Sequence, residues 1–127
     1  IAAALEGFNN TVKKKSIVFL ISDFLDDSYF EPLSHVAKKH DVIGIKIYDK
    51  LDQELPAVGL MQLHDVEQGK AVWVDTSDTE MVKTDQERAE HFHKNYEQSF
   101  GKAGADKLNI RTDESYVHVL MNFFKKR

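Results

Sequence analysis

The chain contains no cysteine, which excludes disulfide bonds and thiolate metal sites. The absence of thiols fits a reducing compartment, and we therefore expect a cytoplasmic location. No stretch approaches the roughly 20 consecutive apolar residues that span a bilayer, so no membrane segment is expected in this chain. Positive charge is not in excess either, because the formal net charge is −4 with acidic and basic residues interspersed. Nucleic acid is therefore not an expected partner.

The length and composition of the chain suit one folded domain. It has 127 residues, of which 42% are hydrophobic and 30% charged, enough for a single hydrophobic core. We therefore interpret residues 1–127 as one domain. The first residues already repeat at helical spacing without a preceding cap, as seen for Ile1, Leu5 and Phe8. We therefore interpret the sequence as a fragment of a longer protein whose upstream part is missing.

Two apolar runs predict neighbouring strands. Residues 17–21 (IVFLI) and 42–48 (VIGIKIY) are largely continuous rather than alternating, which is typical of strands that helices cover on both faces. Between them, the apolar spacing predicts a helix to about Lys39, capped by Asp27 or Ser28. Strand, helix and strand in this order form a right-handed crossover. The sheet is therefore predicted to be at least partly parallel, with the first strand central.

The middle of the chain predicts a hairpin and a long helix. Residues 59–75 alternate apolar and polar side chains around a turn signal at 67–69, which predicts an inserted β-hairpin. Capping-box patterns occur at 77–80 (SDTE) and 84–87 (TDQE), so a helix should start near one of them and run to about Lys102.

A short strand at 105–111 and a last helix with an apolar stripe complete the predicted elements. The predicted fold class is α/β: a mostly parallel, Rossmann-like sheet flanked by helices, with the hairpin inserted near 59–75. In such sheets ligands bind beyond the carboxyl ends of the strands. The large aromatic residues are interpreted as core or hairpin packing: Trp73, Phe92, Tyr96, Phe100, Phe123 and Phe124.

Polar residues follow both predicted strands at that edge. Ser22 and Asp23 come directly after the apolar run of the first strand, Asp26 follows in the next loop, and Asp49 follows the second strand. Hard cations such as Mg²⁺ prefer carboxylate and hydroxyl oxygens, so Ser22 and Asp23 are a candidate partial metal site. Asp26 and Asp49 are candidate partner-binding residues. The alternative interpretation is that Ser22 and Asp23 bind backbone amides in a turn.

Catalytic patterns are weak. Ser99 and Lys102 have the Ser-x-x-Lys spacing of some acyl-transferring enzymes, but no second motif accompanies them. His91 and His93 are two residues apart on a helix and point to different faces, so they cannot chelate a metal together. Glu87 shares a face with His91, but no third ligand is evident. The sequence therefore predicts no catalytic constellation.

Longer pieces of the sequence resemble known families. The piece VFLISDF (residues 18–24) is similar to the fourth strand of von Willebrand factor A domains, where hydrophobic residues lead into a Thr-Asp or Ser-Asp pair. Three pieces in order resemble the bacterial family called domain of unknown function fifty-eight: KKKSIVFLISDFLD, HDVIGIKIYDKLDQELPAVGLMQLHDVEQGKAVWVDTSD and TDESYVHVLMNFF. The resemblance spans nearly the whole chain. Its most specific features are Asp49, the Leu55-Pro56 pair, Gly59 and residues 73–76 (WVDT).

This resemblance implies a von Willebrand A-like fold, of which residues 1–127 would be the C-terminal part without the first strands. It also implies a gene neighbourhood shared with MoxR-type AAA+ ATPases, in pairs thought to act in protein assembly or activation. Many family members carry an Asp-x-Ser-x-Ser metal motif upstream of the matching region. Of that site, only Asp23 with Ser22 beside it has a match in this sequence. Binding of Mg²⁺ or Mn²⁺ would therefore need upstream residues.

These observations together favour a protein-interaction module that works with a MoxR-type AAA+ ATPase and has no catalytic activity of its own. Two alternatives remain open: a metal-dependent hydrolase that uses the acidic strand ends, and a metal-free scaffold domain. If upstream strands are missing, the edge of the strand at 17–21 is unpaired and hydrophobic, which predicts homodimers of the fragment.

Overall fold

The computed structural model describes residues 1–65 and 68–127. The helices in these residues are α1 (Ala2–Thr11), α2 (Phe30–Ala37), α3 (Thr79–Ala103) and α4 (Tyr116–Lys126). The strands are β1 (Ile17–Ser22), β2 (Asp41–Tyr48), β3 (Leu60–Asp65), β4 (Lys70–Asp75) and β5 (Asp106–Arg111). A short 3-10 helix at Lys50–Asp52 follows β2. In the part of the chain that is described, no helix is long and apolar enough to cross a membrane.

A three-stranded parallel sheet in the order β1-β2-β5 forms the centre of the fold. β1 is in register with β2 from Ile17 opposite Asp41 to Ser22 opposite Lys46. β5 pairs with the other side of β2. The predicted α/β class and parallel sheet are therefore confirmed.

The prediction that β1 is a central strand is wrong. Among the described residues β1 pairs only with β2, so it lies at an edge of the sheet. The side chains of Ile17, Phe19 and Ile21 are 61%, 49% and 58% exposed, whereas Val18 and Leu20 pack against the core. A continuous apolar run shows that both faces of a strand are apolar, but it does not show that this chain covers both of them.

The two faces of the sheet carry separate cores. On one face, residues from α1, α2, α3, β2 and the loop after β1 form a buried cluster: Leu5, Phe24, Tyr29, Leu33, Val36, Val42, Tyr96 and Phe100. On the other face, α4 covers a smaller cluster of Ile43, Ile45, Leu108 and Ile110. β2 is therefore covered on both faces by this chain, and β1 is well covered on one.

The larger core depends on a close approach at Gly44 in β2. Phe100 of α3 lies directly over this glycine, and a Cβ at position 44 would overlap its ring. The Phe100 ring is held in place by Phe24 and Tyr96, with ring centroids 5.4 and 4.9 Å away. The Tyr96 hydroxyl lies 3.2 Å from the carbonyl oxygen of Gly44 and 3.1 Å from that of Leu108. These contacts fix α3 across β2 and β5.

β3 and β4 form a separate antiparallel hairpin, as predicted. Val66 and Glu67, which include part of the predicted turn, lie outside the described residues. The Thr76 hydroxyl closes the base of the hairpin by donating to the carbonyl oxygen of Gly59 at 2.7 Å. Trp73 is 62% exposed, so it belongs to the hairpin surface rather than to the core.

α3 starts close to the first predicted capping box, but with a different cap. Its N-cap is Asp78, whose carboxylate accepts the N–H groups of Glu80 and Met81 at 3.1 and 3.2 Å. The predicted cap, Ser77, instead donates its hydroxyl to Asp75. At its other end α3 is closed by Gly104 in the left-handed conformation, close to the predicted helix end near Lys102.

We expect Gly44→Ala to lower the free energy of unfolding by about 1–3 kcal/mol, because an added methyl group in a packed core forces its neighbours apart. Urea denaturation measures the difference. Gly7→Ala is the control: an added Cβ there meets nothing within 4 Å, and alanine inside α1 should raise stability by about 0.5–1 kcal/mol. An unchanged midpoint for Gly44→Ala would contradict the close approach of α3.

Candidate functional site

The chain turns sharply after β1, and Ser22 and Asp23 hold this turn. The N–H of Phe24 donates to the Ser22 hydroxyl at 3.1 Å, and the N–H of Leu25 donates to the Asp23 carboxylate at 3.3 Å. Phe24 has a φ of 57°, a left-handed conformation that is costly for a bulky side chain. Full burial of the Phe24 ring and the two hydrogen bonds offset that cost.

Ser22 and Asp23 alone do not fit a Mg²⁺ or Mn²⁺ site. They offer few oxygens, and the Ser22 hydroxyl and one Asp23 oxygen already accept backbone N–H groups. Mg²⁺ requires near-octahedral coordination. Within residues 1–65 and 68–127, no group of three or more metal-ligating side chains is placed to hold an ion. The partial metal site stays a prediction about a longer protein.

Asp26 and Asp49 order loops at the same edge of the sheet. Asp26 accepts the N–H and the hydroxyl of Ser28 at 2.8 and 2.7 Å, and these bonds lower the pKa of its carboxyl group. Asp49 accepts the Thr112 hydroxyl at 2.6 Å and the N–H of Leu51 at 2.9 Å, which lowers its pKa as well. Both carboxylates are therefore held ionised in fixed loops beyond the strand ends.

The prediction that Asp27 or Ser28 caps α2 is wrong. α2 begins without a side-chain cap, because Ser28 bonds to Asp26 and Asp27 reaches across to α3. The Asp27 carboxylate lies 3.0 Å from Nε2 of His91. The Asn95 amide also donates to the backbone carbonyl of Asp26 at 3.1 Å. α3 thus fastens the loop after β1 at two points.

A cavity of about 280 Å³ opens between the strand ends and α3. Its apolar walls include Leu25, Ile47 and Ala89. The charged or titratable side chains that line it are Asp23, Lys46, Tyr48, Asp52, Glu90 and His93. The predicted residue Asp23 is therefore part of a built cavity, whereas Asp26 and Asp49 do not line it.

Lys46 is the buried charge of this cavity. Its side chain lies on the α3 side of β2, and the residue is 7% exposed. Nζ is 5.9 Å from the centroid of the Tyr96 ring, within the range of a cation–π contact. Burial lowers the pKa of Lys46, while the charges of nearby acids, Asp23 first among them, act in the opposite direction.

Sequence reasoning missed Lys46. The signal was present, because one lysine interrupts the apolar strand VIGIKIY. On a strand, however, a single lysine is usually a solvated side chain. Its burial depends on α3, which begins 33 residues later in the sequence.

A second feature is an exposed apolar surface, here named the β1–α4 surface. It consists of Ile17, Phe19, Ile21, Ile47, Tyr116, Val117, Met121 and Phe124, which are 40–61% exposed. The surface is continuous: the Phe19 and Phe124 rings are 6.3 Å apart, and Ile21, Ile47 and Tyr116 line one cavity of about 280 Å³. Contiguous apolar patches of this kind mark contact sites.

The weak catalytic patterns gain no support from the structure. Ser99 is buried and its hydroxyl donates to the Asn95 side chain at 3.2 Å, while Lys102 is exposed. Glu87 pairs on the helix surface with Lys83 at 3.9 Å.

The fold and the strand-end loops define an α/β domain with a parallel sheet. The family model described as "Protein of unknown function DUF58" matches residues 1–96, and the chain belongs to this family. An uncharacterised protein of Mycobacterium avium is 28% identical over all of this chain and 75% of its own length. Uncharacterised proteins of Mycobacterium bovis and Mycobacterium tuberculosis are each 30% identical over the whole chain, which covers 40% of their length. No solved structure matches the chain.

We expect Asp23→Ala to lower the free energy of unfolding by about 1 kcal/mol, because the N–H of Leu25 loses its acceptor at a strained turn. Asp23→Asn keeps an oxygen acceptor and should stay within about 0.5 kcal/mol of the unchanged protein. Urea denaturation of both variants separates the lost hydrogen bond from the lost charge. If Asp23→Ala is as stable as Asp23→Asn, the turn does not depend on this side chain.

Proposed function

We propose that the chain is the C-terminal part of a von Willebrand A-like domain that serves as a protein-interaction module without catalytic activity of its own. In this proposal the partner is a MoxR-type AAA+ ATPase, and the two proteins act in the assembly or activation of other proteins. Membership of the DUF58 family and the helix-flanked parallel sheet support the proposal.

One observation carries the proposal. The carboxylates of Asp23 and Asp26 lie in the loop after β1 and that of Asp49 lies just after β2, and hydrogen bonds hold each of them in place. Loops beyond the carboxyl ends of parallel strands form the usual binding edge of such sheets. Fixed charges at an interface steer encounter and select partners of complementary charge. This edge therefore suits a protein partner with a basic contact surface.

A metal-assisted form of the same contact is part of the proposal. In that form Asp23 and Ser22 supply ligands for Mg²⁺ or Mn²⁺, further ligands come from residues outside this chain, and an acidic side chain of the partner completes the site. No contact among the described residues favours the metal-dependent hydrolase over the interaction module.

We assign the β1–α4 surface to contact with other parts of the same domain. Among the described residues β1 pairs only with β2, so its other edge offers hydrogen-bonding groups to a further strand. Eight half-exposed apolar side chains of roughly 200 Å² each expose about 800 Å², which is one partner's share of a standard interface. The relatives of Mycobacterium bovis and Mycobacterium tuberculosis are long enough to supply such a segment, because this chain covers 40% of their length.

The chain by itself should form homodimers at high concentration, because the side chains of its β1–α4 surface are apolar and exposed. Light scattering measures the mass. Replacing both Phe19 and Ile21 by serine should shift the mass towards the monomer, whereas Val72→Ser, at an exposed hairpin position, should not. A monomeric mass at high concentration would count against this use of the surface.

Binding of the full-length protein to a MoxR-type AAA+ ATPase tests the function. A variant with Asp23→Asn, Asp26→Asn and Asp49→Asn should bind at least tenfold more weakly, because it loses three charges at the binding edge. Asparagine keeps an oxygen acceptor for each loop, so the fold should persist. Surface plasmon resonance measures the affinity of the unchanged protein and of the triple variant for the ATPase.

The matched control is Glu6→Gln, which removes an exposed carboxylate from α1, outside the strand-end loops. Glu6→Gln should bind like the unchanged protein. If the triple variant binds as tightly as the unchanged protein, the strand-end carboxylates are not the contact site. If the unchanged protein does not bind, MoxR-type AAA+ ATPases are excluded as partners.

A further inference from the structure

The cavity between the strand ends and α3 holds one lysine, Lys46, among its lining residues. We propose that this cavity binds a carboxylate group carried on a short aliphatic chain, with the Lys46 ammonium as its ion-pair partner. The inference rests on the proposed function, since an acidic side chain of a bound protein would supply this chemistry. A free small carboxylic acid would supply it equally.

The Lys46 ammonium faces the cavity without an acceptor of its own. An ammonium group has three N–H donors. In residues 1–65 and 68–127, no hydrogen bond or ion pair of Nζ is found, and the Tyr96 ring lies 5.9 Å away. Nζ is not among the buried polar atoms that lack a partner, so it is open to the cavity that Lys46 lines. A charge-assisted hydrogen bond is among the stronger polar contacts, so a ligand carboxylate would stabilise this group.

The neighbouring carboxylates have other partners. Asp23 holds the turn after β1. Asp52 accepts the N–H of Asp49 at the start of the 3-10 helix. Glu90 pairs with Lys94 at 2.9 Å, and Glu97 pairs with Lys107. The charges of Asp23, Asp52 and Glu97 act to raise the pKa of Lys46, but they do not occupy its donors.

The size and lining of the cavity suit a short acid. Its volume of about 280 Å³ lies just below the range of roughly 300–1,000 Å³ typical of sites for drug-sized ligands. The space therefore suits a side chain or a small acid. Leu25, Ile47 and Ala89 offer apolar contacts to a methylene stem.

The test is a titration of the chain with glutarate, followed by the amide chemical shifts of Leu25, Ile47 and Ala89 in NMR spectra. Ionic strength is kept constant and EDTA is present, so that a metal cannot mediate binding. We expect saturable shifts with glutarate and none with glutaramide, which has the same length without charge. Shifts of equal size with glutaramide would overturn the assignment of an ion pair.

Two lysine variants make the test specific. Lys46→Met removes the charge but keeps the aliphatic stem, and it should weaken glutarate binding at least tenfold. Lys50→Met removes an exposed lysine that does not line the cavity and should bind glutarate unchanged. If Lys46→Met fails to fold, Lys46→Arg replaces it as the variant that retains the charge and should retain binding. Unchanged binding by folded Lys46→Met would overturn the proposal.

A blocked tripeptide, Gly-Glu-Gly, distinguishes the two sources of the carboxylate. Tighter binding of the peptide supports a protein side chain, and tighter binding of glutarate supports a free acid. Saturable binding of neither probe up to tens of millimolar would overturn the proposal. Because these probes need no ATPase, binding of glutarate without binding of the ATPase would reject the interaction module and leave the cavity assignment in place.

Discussion

The close approach of α3 to β2 at Gly44 is the constraint on which the rest of the structure depends. Only a residue without a side chain lets Phe100 lie on the strand, and this contact sets the depth at which α3 packs. At that depth Tyr96 reaches the carbonyl groups of both β2 and β5. Nearer to its start, the same helix holds the loop after β1 through Asn95 and His91.

The candidate site is a consequence of this packing. Residues at positions 42, 44 and 46 of β2 face α3, so the helix that covers Gly44 also buries Lys46. The loop after β1 enters the core through Phe24, in a strained conformation. As a result Asp23 and Leu25 are fixed at the rim of the cavity. The sheet, the strained turn and the helix together form this cavity. Asp23 lies at its rim, and the amine of Lys46 lies within it.

Much of the fold was predictable from the sequence because its signals are local. Apolar runs and crossover connections predict β1 and β2, and alternation predicts the hairpin. The site was less predictable because it depends on distant pairs: Asp27 meets His91 64 residues later, and Asp49 meets Thr112 63 residues later. No pattern near Asp27 distinguishes a helix cap from such a contact. The edge position of β1 likewise depends on which other strands are available, not on its own sequence.

Hydrogen exchange of the full-length protein, with and without a MoxR-type AAA+ ATPase, tests the central claim most directly. We expect the ATPase to slow exchange in the strand-end loops at 22–28 and 49–54. β1 and α4 should already be protected without the ATPase, because we assign their exposed surface to contact with other parts of the domain. If the strand-end loops exchange at the same rate in both states while β1 and α4 gain protection only in the complex, the ATPase binds the β1–α4 surface and not the strand-end loops.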